Sequence, residues 1–204
     1  MIKGKLIEFI RREALQNGVG INDDMRRVTL RQVEIAIDNL YGDVLFLLLK
    51  KSSDLDFFAK NYDNVPILKN SVSKQYYSDL PVNIVQLPSN LAVRLIKGNG
   101  TNTKFYPTDN ESVDIYSDTD IATYYDKTLY LLDGISRVRY INFDYASLNI
   151  RSVNMKLIPT FLSYGWDEDI PIPSGRITEF TNIVAKQLFQ SKKFLDTSSD
   201  GVSA

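Results

Sequence analysis

The chain has 204 residues and a mass of 23.3 kDa, with 44% apolar and 11% aromatic residues, enough for the core of one domain or of a compact body with an appendage. Its 24 Lys and Arg balance 25 Asp and Glu to a formal net charge of −1, which disfavours a whole-chain role as a basic nucleic-acid binder. Cysteine and histidine are absent, and with them disulfides, thiolate zinc sites, cysteine nucleophiles and the usual general base of a nucleophilic triad.

The first residues, Met1 to Arg12, mix charged with apolar side chains and hold no long apolar core, so no signal peptide is expected. The longest apolar run, Val44 to Leu49, is far shorter than the roughly 20 residues that span a bilayer, so no membrane segment and synthesis in the cytosol are expected. Asn110-Glu111-Ser112 fits a glycosylation sequon and is read as an ordinary loop.

Taken in chain order, the elements begin with helices. Ile2, Leu6, Phe9, Ile10 and Ala14 recur at three- and four-residue spacing and predict one helix, ended by Gly18 and Gly20. Thr29 with Gln32 forms a capping-box signature for a second helix. Val33, Ile37, Leu40, Tyr41, Val44 and Leu48 give that helix one apolar face. The two together suggest an αα-hairpin. Between Ser52 and Tyr77 the pattern is mixed. Leu55, Phe57, Phe58 and Tyr62 suit a short helix that Asp63, Asn64 and Pro66 interrupt, and Tyr76-Tyr77 begins something extended.

A β-rich stretch follows. Asn83 to Leu87, Ala92 to Ile96 and Lys104 to Tyr106 read as short strands, with a turn at Gly98-Asn99-Gly100. Leu129 to Leu132 and Val138 to Ile141 flank Asp133-Gly134, which supplies the positive φ of a two-residue type I′ hairpin turn. Val153, Met155 and Leu157 alternate with polar neighbours, as a half-buried strand requires. Pro171 and Pro173 then stiffen the approach to a last helix, with Ser174 as its N-cap and Ile177, Phe180, Val184 and Leu188 on its apolar face. Asp196 to Ala204 is small and polar, and is expected to be disordered in the isolated chain.

The expected fold class is therefore α+β: an N-terminal helical hairpin and a C-terminal helix packed together, with an inserted antiparallel β module. The expected parts are a helical part at residues 1–75, a β-rich module at 76–165, a C-terminal helix at 166–194 completing the helical part, and a flexible tail at 195–204.

Lys97-Gly98-Asn99-Gly100-Thr101 superficially resembles a phosphate loop, but its lysine precedes the glycines and a strand follows it, so it reads as a hairpin turn. From Pro107 to Asp126 the chain carries Asp109, Glu111, Asp114, Asp118, Asp120 and Asp126 with no Lys or Arg. No EF-hand register fits these carboxylates, and a solvated acidic loop is the simpler reading. The first 31 residues carry seven Lys and Arg against four Asp and Glu. Arg26, Arg27 and Arg31 among them suit either a helix surface or a contact for phosphate or an acidic partner. The 12 tyrosines suit protein interfaces and strands alike.

One succession of pieces stands out. Lys74-Gln75-Tyr76-Tyr77-Ser78-Asp79-Leu80-Pro81 and Leu87-Pro88-Ser89-Asn90 precede Leu129-Tyr130-Leu131-Leu132-Asp133-Gly134 and Lys156-Leu157-Ile158-Pro159. Asp167-Glu168-Asp169-Ile170-Pro171-Ile172-Pro173 and a closing helix complete it. Over about residues 5–190 this order resembles the head–tail connector (adaptor or ring) proteins of short-tailed phages, especially the crAss-like phages. The resemblance implies a virion structural protein of the neck and tail region: a homo-oligomeric ring, commonly twelvefold, between the portal protein and neighbouring tail or ring proteins, with DNA passing through it without sequence-specific binding. It implies no catalytic residue, no cofactor, no metal and no membrane partner. Within such a ring, Asp109, Glu111, Asp114, Asp118 and Asp120 are expected at the lumen or rim, and Arg26, Arg27 and Arg31 at a partner contact. Two other classes stay open: a carboxylate-based hydrolase, and a nonviral scaffold or nucleic-acid-binding module.

Overall fold

In the computed structural model, residues 1–17, 29–51, 56–109, 128–141, 143, 145–172, 175, 177–184 and 186 are described. The chain divides into two units, Met1–Phe57 with Thr160–Ala204, and Phe58–Pro159.

The first unit is built on helices α1 (Lys3–Asn17) and α2 (Leu30–Lys51), with residues 177–184 helical as well. Leu6, Ile7 and Ile10 of α1 are buried, as are Val33, Ile37, Tyr41, Val44 and Leu45 of α2 and Phe180 and Val184 further on. These positions follow the three- and four-residue spacing that puts side chains on one helical face. The fully buried Tyr41 ring lies 5.7 Å from Phe161 and 6.2 Å from Phe180, centroid to centroid. The start of α1 is held by the chain that returns beside it. The Lys3 and Gly4 N–H groups donate to the Glu168 and Trp166 carbonyls, each at 2.9 Å. A helix cannot satisfy its own first N–H groups, so these bonds replace a side-chain cap. The Asp38 carboxylate accepts the Leu162 N–H at 2.9 Å and ties α2 to the single turn Phe161–Ser163.

The second unit is an eight-stranded sheet. Its strands are β1 (Lys60–Pro66), β2 (Leu68–Lys69), β3 (Tyr76–Asp79), β4 (Val93–Gly98), β5 (Lys104–Pro107), β6 (Thr128–Asp133), β7 (Arg137–Ile141) and β8 (Ser152–Leu157). Their order is β1-β8-β4-β5-β6-β7-β3-β2, antiparallel throughout except for the parallel pair β5–β6. The two edge strands, β1 and β2, are separated in the chain by Ile67 alone. The sheet must therefore curl until its ends meet, which gives a nearly closed barrel. Ser78 of β3 marks the seam, its hydroxyl donating to the Pro66 carbonyl of β1 at 2.8 Å.

Period-2 alternation places Val153, Met155 and Leu157 of β8 inside with Ile96, Phe105, Val138 and Tyr140. Phe105, Tyr140 and Phe143 form a buried aromatic group with centroids 5.0 to 5.8 Å apart. Tyr76 and Tyr145, stacked at 5.4 Å, extend it. Helix α3 (Tyr145–Leu148) is a single short turn before β8.

This architecture overturns the expected one, a helical hairpin and C-terminal helix with a smaller antiparallel β module inserted. The sheet is the dominant element, it begins at Lys60 rather than near Tyr76, and it is mixed. The reason lies in β1, whose sequence KNYDNVP buries only Val65. That strand is held by its backbone ladder to β8, so it lacks the apolar alternation that marks a strand in sequence. The parallel pairing of β5 with β6 is equally invisible locally, because parallel neighbours are joined by long crossovers rather than by turns. Two smaller expectations also change. Asn83 to Leu87 contributes only the bridge Ile84↔Pro159. The β6–β7 connection is a three-residue loop, since Asp133 pairs with Arg137, although Gly134 has the positive φ, 70°, expected of it.

Candidate functional site

The most distinctive outward surface of the sheet lies on β4, β5 and β8. The Gly98 N–H donates to the Thr103 carbonyl at 2.9 Å and closes the β4–β5 hairpin. The next pair outward is Lys97↔Lys104. Ile96 and Phe105, the pair after that, are buried, so both lysines face the outside. Like charges directly opposite each other across a strand pair are destabilising by a few tenths of a kcal/mol. Lys156 of β8 lies opposite Leu95, two residues from Lys97 and on the same face. These three strands carry Arg94, Lys97, Lys104 and Lys156 and no Asp or Glu. Among the described residues neither Lys97 nor Lys104 is in an ion pair.

Beside the lysines the β4–β5 ladder stops. Only two residue pairs are made, and Leu95 and Tyr106, which would form the third, line a groove instead. Its volume is about 280 Å³, and Leu91, Val93, Pro107 and Tyr130 share its wall with them, along with Arg94 and Lys104. Leu95 and Tyr106 are 38% and 42% exposed, high for large apolar side chains. Burial pushes the Tyr130 hydroxyl up to about 12, against the pull of nearby Arg94, so the groove is lined by a neutral phenol. Ser89 and Asn90, also on the groove, both hold positive φ, 53° and 57°. Asparagine tolerates that region better than serine does, and such conformations concentrate at functional surfaces.

A second charged constellation lies in the helical unit. The Lys3 ammonium, almost fully buried, is 2.6 Å from Glu34 and donates to the Tyr164 carbonyl at 2.7 Å. It also sits 5.1 Å from the centre of the Phe161 ring. Arg31 pairs with the same carboxylate from the surface. Burial pushes the Glu34 carboxyl up, but the hydrogen bonds and charges of Lys3 and Arg31 outweigh it and hold the pKa below the ordinary 4.5. The Lys3, Glu34 and Arg31 charges are matched against one another, which is the arrangement of a packing lock rather than of a reaction centre.

Of the residues singled out in the sequence, Arg31 is exposed and engaged by Glu34, and Asp109 is exposed. Arg26, Arg27, Glu111, Asp114, Asp118 and Asp120 lie outside the described residues. Sequence reading passed over Lys97 and Lys104 as flanks of a turn. Their symmetric placement about Gly98–Thr103 was the available signal, since residues flanking a hairpin loop pair across it. Among the described residues no group of three or more His, Cys, Asp or Glu is placed to hold a metal ion, and no helix is long and apolar enough to cross a membrane. No protein-family model matches the chain, and no curated protein sequence is significantly similar to it.

Proposed function

We propose that the chain is a structural subunit of a phage virion, one protomer of an oligomeric ring that joins the portal to the tail and surrounds the DNA channel. The observation that carries this reading is the order of motifs from Lys74-Gln75-Tyr76-Tyr77 to Asp169-Ile170-Pro171-Ile172-Pro173, which resembles the connector proteins of short-tailed phages. The solvent-facing groove and the opposed lysines of β4 and β5 support it, because they suit a contact with another macromolecule better than a reaction. In a ring each protomer meets its two neighbours with different faces, and closure requires one fixed rotation per subunit.

The test is native mass spectrometry and negative-stain imaging of the purified chain, together with proteomics of purified phage particles. Ring-shaped particles whose mass is an integral multiple of 23.3 kDa, and the presence of the chain in the neck, are the expected results. A chain that stays monomeric at all concentrations and is absent from virions overturns the reading.

A further inference from the structure

Asn99-Gly100, at the tip of the β4–β5 hairpin, is one of two Asn-Gly pairs in the chain, the other being Asn17-Gly18. Asn99 and Gly100 are both exposed. The Thr101 N–H donates to the Gly98 carbonyl at 3.2 Å and Gly100 holds a φ of 71°, the pattern of a type II turn with Asn99 and Gly100 at its centre. An asparagine amide followed by glycine sets an electrophilic carbon beside a main-chain nitrogen. Gly100 has no Cβ to shield that nitrogen or to restrict the backbone that brings it to the Asn99 Cγ. The side chain, however, is clamped. The Asn99 Nδ2 donates to the Asn64 Oδ1 of β1 and, at 3.3 Å, to the Ser152 Oγ of β8. The Asn99 N–H donates to the Ser152 carbonyl at 2.9 Å, so main chain and side chain are anchored to the same residue. Asn64 is placed by the bulge between Tyr62 and Val65, with a φ of 59° and its own N–H donating to the Asn154 Oδ1 at 3.1 Å.

We propose that Asn99 is a site of spontaneous deamidation, and that Asn64 and Ser152 hold the reaction off in the folded chain. The Gly100 nitrogen loses its proton to solvent and forms a bond to the Asn99 Cγ. The Cγ–Nδ2 bond breaks, ammonia leaves, and a succinimide remains. Water then adds to one of the two ring carbonyls and breaks its bond to nitrogen. The product is aspartate, or isoaspartate when the main chain is rerouted through Cγ; nothing is oxidised or reduced. Because the nitrogen must first be deprotonated, the reaction quickens as pH rises. To reach the nitrogen the Asn99 Cγ has to swing out of the clamp and give up both side-chain bonds, which slows the reaction by roughly tenfold in the folded chain. The change runs one way. A carboxylate only accepts hydrogen bonds, so neither product donates to Asn64 and Ser152 as the amide did, and the β4–β5 turn is untied from the bulge of β1.

The test follows conversion at residue 99 in the full chain at mildly alkaline pH, folded in buffer and unfolded in guanidinium chloride. Tryptic peptides are read by tandem mass spectrometry for the amide-to-carboxyl mass increase and by chromatography for isoaspartate; Gly98–Lys104 carries the site. Asn17-Gly18 serves as the clock of the unfolded chain, where nothing clamps either pair. Asn64→Gly keeps the positive φ and removes one acceptor, and Ser152→Ala removes the other. In the folded wild type, conversion at Asn99 is expected to be roughly tenfold slower than in the unfolded chain. In the Asn64→Gly, Ser152→Ala double variant, with folding checked by circular dichroism, it should rise toward the unfolded rate. Should the double variant not fold, the two single variants carry the same comparison, each with a smaller rise. Equal rates in the folded and unfolded wild type overturn the protective clamp, as do folded variants that convert as slowly as the wild type. An unfolded chain that converts at Asn17 and not at Asn99 overturns the site itself.

Discussion

Lys3 is the side chain on which the helical unit turns most directly. A lysine almost wholly removed from water is tolerated because Glu34, the Tyr164 carbonyl and the Phe161 ring all face its ammonium. Lys3→Met leaves Glu34 with Arg31 as its remaining partner, so it is expected to cost about 2 kcal/mol, below the cost of a fully stranded buried charge, read from the urea midpoint. The double variant Lys3→Met, Glu34→Leu should recover most of that loss, and full additivity of the two single changes would show that the pair is not coupled. The pH dependence has a definite sign. Because the Glu34 pKa is lowered on folding, its stabilisation is present above the carboxylate's ordinary 4.5 and is lost as pH falls through the folded value. Glu34→Gln should therefore flatten the acid limb of the stability profile. In the sheet, the Tyr140 hydroxyl donates to Ser78, whose own hydroxyl donates to the Pro66 carbonyl, both at 2.8 Å. Tyr140→Phe removes one bond and should cost about 1 kcal/mol, whereas Ser78→Ala leaves the buried Tyr140 hydroxyl without its partner, removes the bond to the Pro66 carbonyl as well, and should cost about 2 kcal/mol. Equal midpoints for the two variants would contradict this chain of bonds.

At the scale of elements, close packing at two glycines is decisive. A Cβ on Gly4 would lie 2.5 to 2.7 Å from the Trp166 indole. The first turn of α1 therefore accepts the ring only because no side chain intervenes. Trp166 is the single tryptophan of the chain, so Gly4→Ala is expected to shift its fluorescence maximum to the red as the ring is displaced toward water. An unchanged spectrum at full stability would mean that α1 and the Trp166 segment yield without strain. At Gly98 an added Cβ would meet Thr101 Oγ1 at 2.5 Å and Ile150 Cδ1 at 2.7 Å, in the hairpin that presents Lys97 and Lys104. Gly98→Ala should destabilise the sheet unit by about 1–3 kcal/mol. Gly134 is a different case, since nothing crowds it and only its φ of 70° matters. There an alanine costs about 1 kcal/mol through the backbone alone.

For the molecule as a whole, near-neutral charge conceals segregation. The chain is −1 in total, yet β4, β5 and β8 carry only cations and residues 109–126 only anions. Any association through such surfaces is screened by salt and is expected to weaken markedly between about 50 mM and about 500 mM salt. Salt-independent association would place the contact on apolar surface instead. Arg31 limits what a charge-reversal test of the basic N-terminal region can establish. It pairs with Glu34, so Arg31→Glu would set two carboxylates side by side and lower stability whether or not a partner binds there. Reversal at Arg26 and Arg27, with Arg31 kept, is the cleaner probe of a partner contact. In the proposed ring it should reduce incorporation into phage particles.

What the sequence determined by itself is local. The apolar face of α2 and the Leu6 and Ile10 positions of α1 could be read because apolar side chains repeat at the helix's own period, although Phe9 is exposed and Ile7 is buried in its stead, and β8 could be read because Val153, Met155 and Leu157 alternate at that of a strand. The β6–β7 hairpin was legible in Asp133-Gly134 because glycine takes the positive φ a turn needs, although its loop length was not. The acidic composition of residues 109–126 needs no structure at all to be seen. Tertiary structure alone decided that Lys60–Pro66 is a strand, that β5 runs parallel to β6, and that the sheet curls until β1 and β2 meet at Ile67. Each of these depends on backbone hydrogen bonds to a segment distant in the chain, and a backbone amide carries no mark of its partner in the side chain beside it. The same holds for the candidate surface. Lys97 and Lys104 are ordinary lysines until the hairpin places them opposite each other, and Leu95 and Tyr106 are ordinary strand residues until the ladder ends before reaching them.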